Sequence, residues 1–122
     1  MQTMQQQRAK FALTAVEQAA KTLVGEQSKK EYQSYASALP FMIHANGLGQ
    51  AAAFYRSKGD THQELYNLLS DWLISKGQPL HGHKDLLVGI TISDMHTYLA
   101  AQAEAMAFLE WVKRFANALI ET

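Results

Sequence analysis

The stretch "HGHKD" places His81, His83 and Asp85 within five residues. A His-x-His pair beside a carboxylate is a donor set that zinc or manganese accepts. A metal held there would make the loop a candidate nuclease centre. The same residues also suit a solvated loop, because no second donor pair stands at a metal-binding spacing and His44, His62 and His96 are isolated. Nucleophilic catalysis has less to draw on. The chain has no cysteine, and no serine sits in a Gly-x-Ser-x-Gly elbow. Acidic residues are scattered singly along helical stretches instead of being paired, with Glu64 and Asp71 on the polar side of one of them. The expectation is no catalytic residue, no metal and no cofactor. A metal-dependent nuclease using His81, His83 and Asp85 stands as an alternative.

A second candidate lies in "LPFMIHANGLGQAAAFYRSKG", residues 39–59. Gly47 and Gly49 lack the third glycine and the preceding strand of a dinucleotide loop, and no Lys-Ser/Thr follows them as in a P-loop. A helix, a short Gly-containing turn and a second helix also describe a helix-turn-helix. That motif presents the start of its second helix to base edges. Here those residues are Leu48, Gly49, Gln50 and Ala51, of which only Gln50 can read a base. A duplex-DNA reader therefore remains an alternative, and close packing is the simpler reading. Gly49, Ala51, Ala52 and Ala53 make a helix of little bulk that another backbone can approach. Leu48, Ala52 and Tyr55 share a stripe, with Phe54 to the side. Asn46, Gly47, Leu48, Gly49 and Gln50 are the packing or interface candidates.

A third set is basic and aromatic. Arg56 and Lys58 follow the glycine motif, and "EWVKRFA" puts Lys113 and Arg114 between Trp111 and Phe115. With Arg8, Lys10 and Lys21 these form one basic stripe if the first, third and last helices adjoin. Interleaved aromatics can stack on the bases of a single strand. The competing reading puts Phe115 and Trp111 in the core and the cations on an ordinary solvated face.

Charge qualifies the nucleic-acid reading. Eleven Lys and Arg balance eleven Asp and Glu among 122 residues, so tight independent binding to phosphates is not expected. Near-neutrality favours association with other proteins. Apolar residues make up 48% and charged residues 18%, which points to one globular domain over 1–122 and away from disorder. The absence of cysteine excludes disulfides. No 18-residue apolar run occurs, and "MQTMQQQRAK" lacks a signal-peptide core, so the expected location is cytoplasmic, without membrane contact.

The elements that must position these residues are helices. Phe11, Ala12, Val16, Ala19, Ala20 and Leu23 recur at helical steps over residues 4–24, ending at Gly25. A second helix is expected from near Lys29, interrupted or restarted at Pro40 and closed at Asn46–Gly47. Leu48 to Lys58 reads as a third. Thr61 is expected to cap a fourth, with Leu65, Leu68, Leu69, Trp72 and Leu73 on its apolar side. Residues 77–92 read as a loop with a helical turn. Ser93 is expected to cap a last helix to about residue 120, with Leu99, Met106, Leu109, Val112, Phe115 and Leu119 as apolar positions. The fold class is all-α, a compact bundle of five or six helices.

Three segments in order carry a resemblance: residues 39–59, "LLSDWLISKG" at 68–77, and "EAMAFLEWVKRFANALIE" at 104–121. Together they resemble the small α-helical subunit of the Cmr complex, the type III-B CRISPR RNA-silencing effector. The resemblance implies a non-catalytic subunit whose copies stack in a filament beside the backbone subunits and line the guide–target RNA path with basic residues. It implies other Cmr subunits, backbone and large, and guide or target RNA as partners, the RNA being held weakly by the isolated chain. Arg56, Lys58, Lys113 and Arg114 lie inside the matching segments. Arg8, Lys10 and Lys21 lie in the first helix. All seven are RNA-binding candidates on that basis.

Overall fold

Thr3 opens the first helix. Its hydroxyl accepts from the Gln6 amide at 3.1 Å, and the Gln6 side chain accepts from the Thr3 amide at 2.8 Å, closing a capping box. The computed structural model describes residues 1–121. Its helices are α1 (Met4–Thr22), α2 (Glu26–Asn46), α3 (Leu48–Ser57), α4 (Asp60–Leu73), α5 (Leu86–Ile92) and α6 (Met95–Leu119). There is no strand among the described residues. The all-α bundle expected from the periodicity is thus a bundle of six helices.

Several boundaries differ from the expected ones, each for a local reason. α1 ends at Thr22, two residues early, with Leu23 already extended. α2 begins at Glu26, directly after Gly25 at φ 87°, and not near Lys29. It runs without interruption through Pro40. Proline forfeits one ladder bond, to Ala36, but Ala36, Leu39, Pro40 and Ile43 are all buried, and that packing holds the helix together. α4 starts at Asp60 with Gly59 at its N-cap position, so Thr61 lies inside the helix instead of capping it. α6 is capped by Asp94, whose carboxylate accepts from the Thr97 amide at 2.8 Å. Ser93 does not cap it, and its buried hydroxyl has no hydrogen-bond partner. Leu99 and Leu119, expected on the apolar side of α6, are exposed.

α6 is the central element, packed along α1 and α2, and α4 also lies against it. α3 docks chiefly on α2 and α4, with α5 closing over α3 and α4. The buried apolar residues form one cluster drawn from all six helices, including the whole expected stripe of α4. At its centre Trp72 stacks on Phe108, ring centroids 5.1 Å apart, and Phe11 leans on both rings at 5.2 and 5.9 Å. The segment between α4 and α5 is pinned to this core. The Leu80 amide donates to the Leu73 carbonyl at 3.0 Å, and the buried Ser70 hydroxyl accepts from the Leu86 amide at 3.0 Å.

One polar group sits beside the aromatic stack. Glu104 accepts from Arg8 Nε at 2.6 Å and Nη2 at 2.9 Å, and from Trp72 Nε1 at 2.9 Å. The two charged side chains retain 17% and 11% of their exposure, so the pair is largely withdrawn from water. Removing one partner of such a pair leaves the other charge desolvated and unmatched. Glu104→Ala is expected to lower unfolding stability by about 2–3 kcal/mol in a urea titration, less than for a fully buried pair. Glu104→Gln keeps an acceptor for the indole and is expected to lose less.

Candidate nucleic-acid interface

The Asn46–Gln50 motif is a joint between α2, α3 and α6. Gly47 ends α2 at φ 88° and opens α3 in the same step, a backbone conformation that side chains resist. No side chain of α3 itself caps its first amides. α6 does so from outside: Gln102 Oε1 accepts from the Leu48 amide and the Tyr98 hydroxyl from the Gly49 amide, both at 2.9 Å. A Cβ on Gly49 would lie 3.3 Å from both the Tyr98 oxygen and Ile90 Cδ1, so those two side chains would have to give by a few tenths of an ångström. Leu48, Ala51, Ala52 and Tyr55 are buried beneath, whereas Asn46 and Gln50 are exposed. The start of α3, which a helix-turn-helix would offer to base edges, is occupied by α6.

The residues of "HGHKD" do not converge. His81 is exposed and His83 half-buried, and the Asp85 carboxylate caps α5 by accepting from the Val88 amide at 2.9 Å. Among the described residues no three His, Asp or Glu side chains are placed to hold a metal.

The seven candidate cations separate into three situations. Arg8 is committed internally to Glu104 and presents no free charge. Lys10 and Lys21 are exposed on α1, Lys10 at the rim of a cleft of about 560 Å³ floored by Phe11, Ala15 and Leu68. On the neighbouring α6, Lys113 is half-buried and Arg114 exposed, the latter in a depression shared with Gln5, Glu110 and Trp111. Trp111 packs on Phe115 with centroids 5.6 Å apart and donates its indole N–H to Gln5 Oε1 at 3.0 Å, so this aromatic pair is engaged within the protein. Arg56 and Lys58 stand apart, at the corner between α3 and α4, because α3 packs chiefly on α2 and α4. The single stripe that the sequence allowed, had the first, third and last helices adjoined, is therefore divided.

The α3–α4 corner holds a group that the sequence did not announce. The His62 ring stacks on Tyr35 at 3.8 Å and meets Tyr55 edge-on at 4.7 Å. Phe54, 40% exposed, meets His62 edge-on at 6.0 Å. The Lys58 ammonium lies 4.9 Å from the Phe54 centroid, a cation–π contact. The Tyr55 hydroxyl donates to the Tyr35 carbonyl at 2.8 Å, and burial pushes that phenol up to about 12. His62 is held below its ordinary value by burial first and by Lys58 second, with Glu31 opposing. Four residues from α2, α3 and α4 meet here, and only the aromatic content of each helix hinted at it.

These observations define a class: a small all-α bundle, built around one internal ion pair, with its free cations on separate surfaces. Residues 4–119 match the family described as CRISPR-associated protein (Cas_Cmr5). The chain is 37% identical to the CRISPR system Cmr subunit Cmr5 of Thermus thermophilus, over 99% of both chains. The crystal structure of a CRISPR-associated Cmr5 family protein from Thermus thermophilus superposes with a TM-score of 0.80 at 35% identity, covering 98% of this chain and all of the other. The chain belongs to the Cmr5 family.

Two outcomes follow from this geometry. Tyr98→Phe removes one external cap and is expected to cost about 1 kcal/mol by chemical denaturation. His62 is harder to protonate when folded than when unfolded, so the folded state binds fewer protons. Its contribution is fully present above the unfolded value near 6.5 and is lost as pH falls through that value toward the lower folded one. Wild-type stability is expected to drop relative to His62→Gln between about pH 7 and pH 5.

Proposed function

We propose that this protein is a non-catalytic small subunit of a Cmr-type CRISPR effector. In this reading its copies stack in a filament beside the backbone subunits, and its free cations face the guide–target RNA path. The observation that carries the proposal is the match along nearly the whole chain to a protein that is itself named a Cmr subunit. The geometry supports it in two ways. The largely buried Arg8–Glu104 pair is committed to the fold, and the remaining cations among the candidates are distributed over surfaces where they can meet an extended anion. Balanced net charge suits a chain held in place by proteins, with RNA affinity supplied by a few local contacts. No helix among the described residues is long and apolar enough to cross a membrane.

The isolated chain is expected to bind single-stranded RNA weakly, with log affinity falling against log salt by about 0.7 for each phosphate contacted. Lys113→Ala with Arg114→Ala is expected to lower that affinity while leaving the melting curve unchanged. Affinity unaltered by the pair would move the RNA path off the α1–α6 face. Mild affinity purification from the native host tests the assembly itself. Uniform short RNAs with several larger subunits are the expected co-purifying material, and recovery of the chain alone at low salt would refute the proposal.

A further inference from the structure

Phe54 is a large aromatic ring left on the surface, yet it is not free to wander. His62 braces one edge, and His62 is itself fixed by the Tyr35 stack and the Tyr55 edge contact. The residue is therefore held in one orientation while 40% exposed. Lys58, also exposed and four residues on, lies over it with its ammonium 4.9 Å from the ring centroid, whereas Arg56, two residues on, is turned to another side of α3 and is held by Gln63 Oε1 at 3.0 Å. From these contacts we infer that Phe54 is a stacking platform for one unpaired nucleobase, with Lys58 taking the adjoining phosphate. The inference rests on the reading that this chain meets RNA, and it assigns the α3–α4 corner as the place where a base is touched.

Three features favour a nucleotide here over another protein. A cation lies directly over the ring, whereas the core of a protein interface is depleted of charge. Larger apolar exposure, which a protein partner would cover, stands at other residues, among them Phe41, Ile92, Met95 and Leu99. Third, the polar cleft that Lys58 and His62 share with Glu31 and Asp60, about 450 Å³, carries both signs of charge. Those carboxylates repel phosphate, so Lys58 is the group beside Phe54 that a phosphate meets. In the free protein the Lys58 ammonium covers the ring at 4.9 Å. A base displaces it from the ring, and the released ammonium turns to the phosphate that arrives with that base. An exposed cation–π contact is the weaker of the two interactions, so the exchange runs toward the bound state. The engaged pair Trp111–Phe115 offers no comparable open ring with its indole N–H already committed.

The test is an NMR titration of the full chain with an eight-nucleotide oligouridylate and with an abasic ribose-phosphate oligomer of equal length. The oligouridylate is expected to shift the Phe54 and His62 ring resonances, and the abasic oligomer to shift only the Lys58 region. Phe54→Ala is expected to weaken oligouridylate binding about tenfold, to leave the abasic affinity unchanged, and to be rescued by Phe54→Trp. Equal losses for both oligomers would reduce Phe54 to a support for Lys58 and overturn the stacking. Shifts confined to residues near Lys113 and Arg114 would overturn it too, while leaving the RNA reading intact. No shift with either oligomer would remove autonomous RNA affinity and the inference together. Concentration-dependent self-association abolished by Phe54→Ala would then identify the corner as a protein contact.

Discussion

The bundle depends on one carboxylate. Glu104 gathers a guanidinium from α1 and an indole N–H from α4 onto the middle of α6, and so sets how three helices meet. Without it Arg8 and the Trp72 nitrogen would each be left without their partner beside an aromatic stack, where unpaired polar groups are costly. With it, Trp72 is oriented flat on Phe108 and Phe11 closes the side. A purely apolar contact at this point would tolerate sliding of α1 along α6. A forked, three-bond acceptor does not, because each bond has its own direction.

A second constraint follows from where α6 stands. Its Tyr98 and Gln102 reach across to cap α3, which has no cap of its own. Residue 47 needs glycine for its φ of 88°, and a side chain at residue 49 would press on the Tyr98 hydroxyl at 3.3 Å. Small residues at the start of α3 thus serve a polar purpose as well as an apolar one: Leu48, Ala51 and Ala52 pack below while the Leu48 and Gly49 amides bond above. With α3 fixed at its start, its far end is delivered to α4, and the Tyr35–Tyr55–His62 group forms there. Phe54, Arg56 and Lys58 then occupy a corner of their own, removed from the cations of α1 and α6. The division of the basic residues is a consequence of the route that α3 is made to take.

Much of the fold could be read from local patterns. The α4 stripe is periodic and buries as its spacing requires, and the helix after Asn46–Gly47 starts at Leu48. Pro40 defeats a local reading because its cost is real within α2, while the burial of Ala36, Leu39 and Ile43 around it outweighs that cost. Asp94 and Gly59 take the places of Ser93 and Thr61 at helix starts, where cap choice turns on one or two residues. The candidate site was less accessible. Arg8 looks like any surface cation, although it stands four residues before Ala12 on the stripe that α1 buries. Glu104 likewise falls between Ala101 and Ala105 on the buried side of α6, a sign that both needed partners. Nothing in either helix named the partner.

The sequence by itself determined that this protein is a set of amphipathic helices without cysteine chemistry, carrying no excess of either charge, with a glycine joint in the middle. Those properties are local, because helical periodicity, caps and composition act within a few residues. The tertiary structure alone decided which charges are paired internally and which are free. Arg8 meets a carboxylate 96 positions away, and Gly49 meets a hydroxyl 49 positions away. His62 is gripped by rings from two other helices. A side chain's partner depends on which helices cross and at what height. That is set by the packing of the whole core, which no short window of sequence contains.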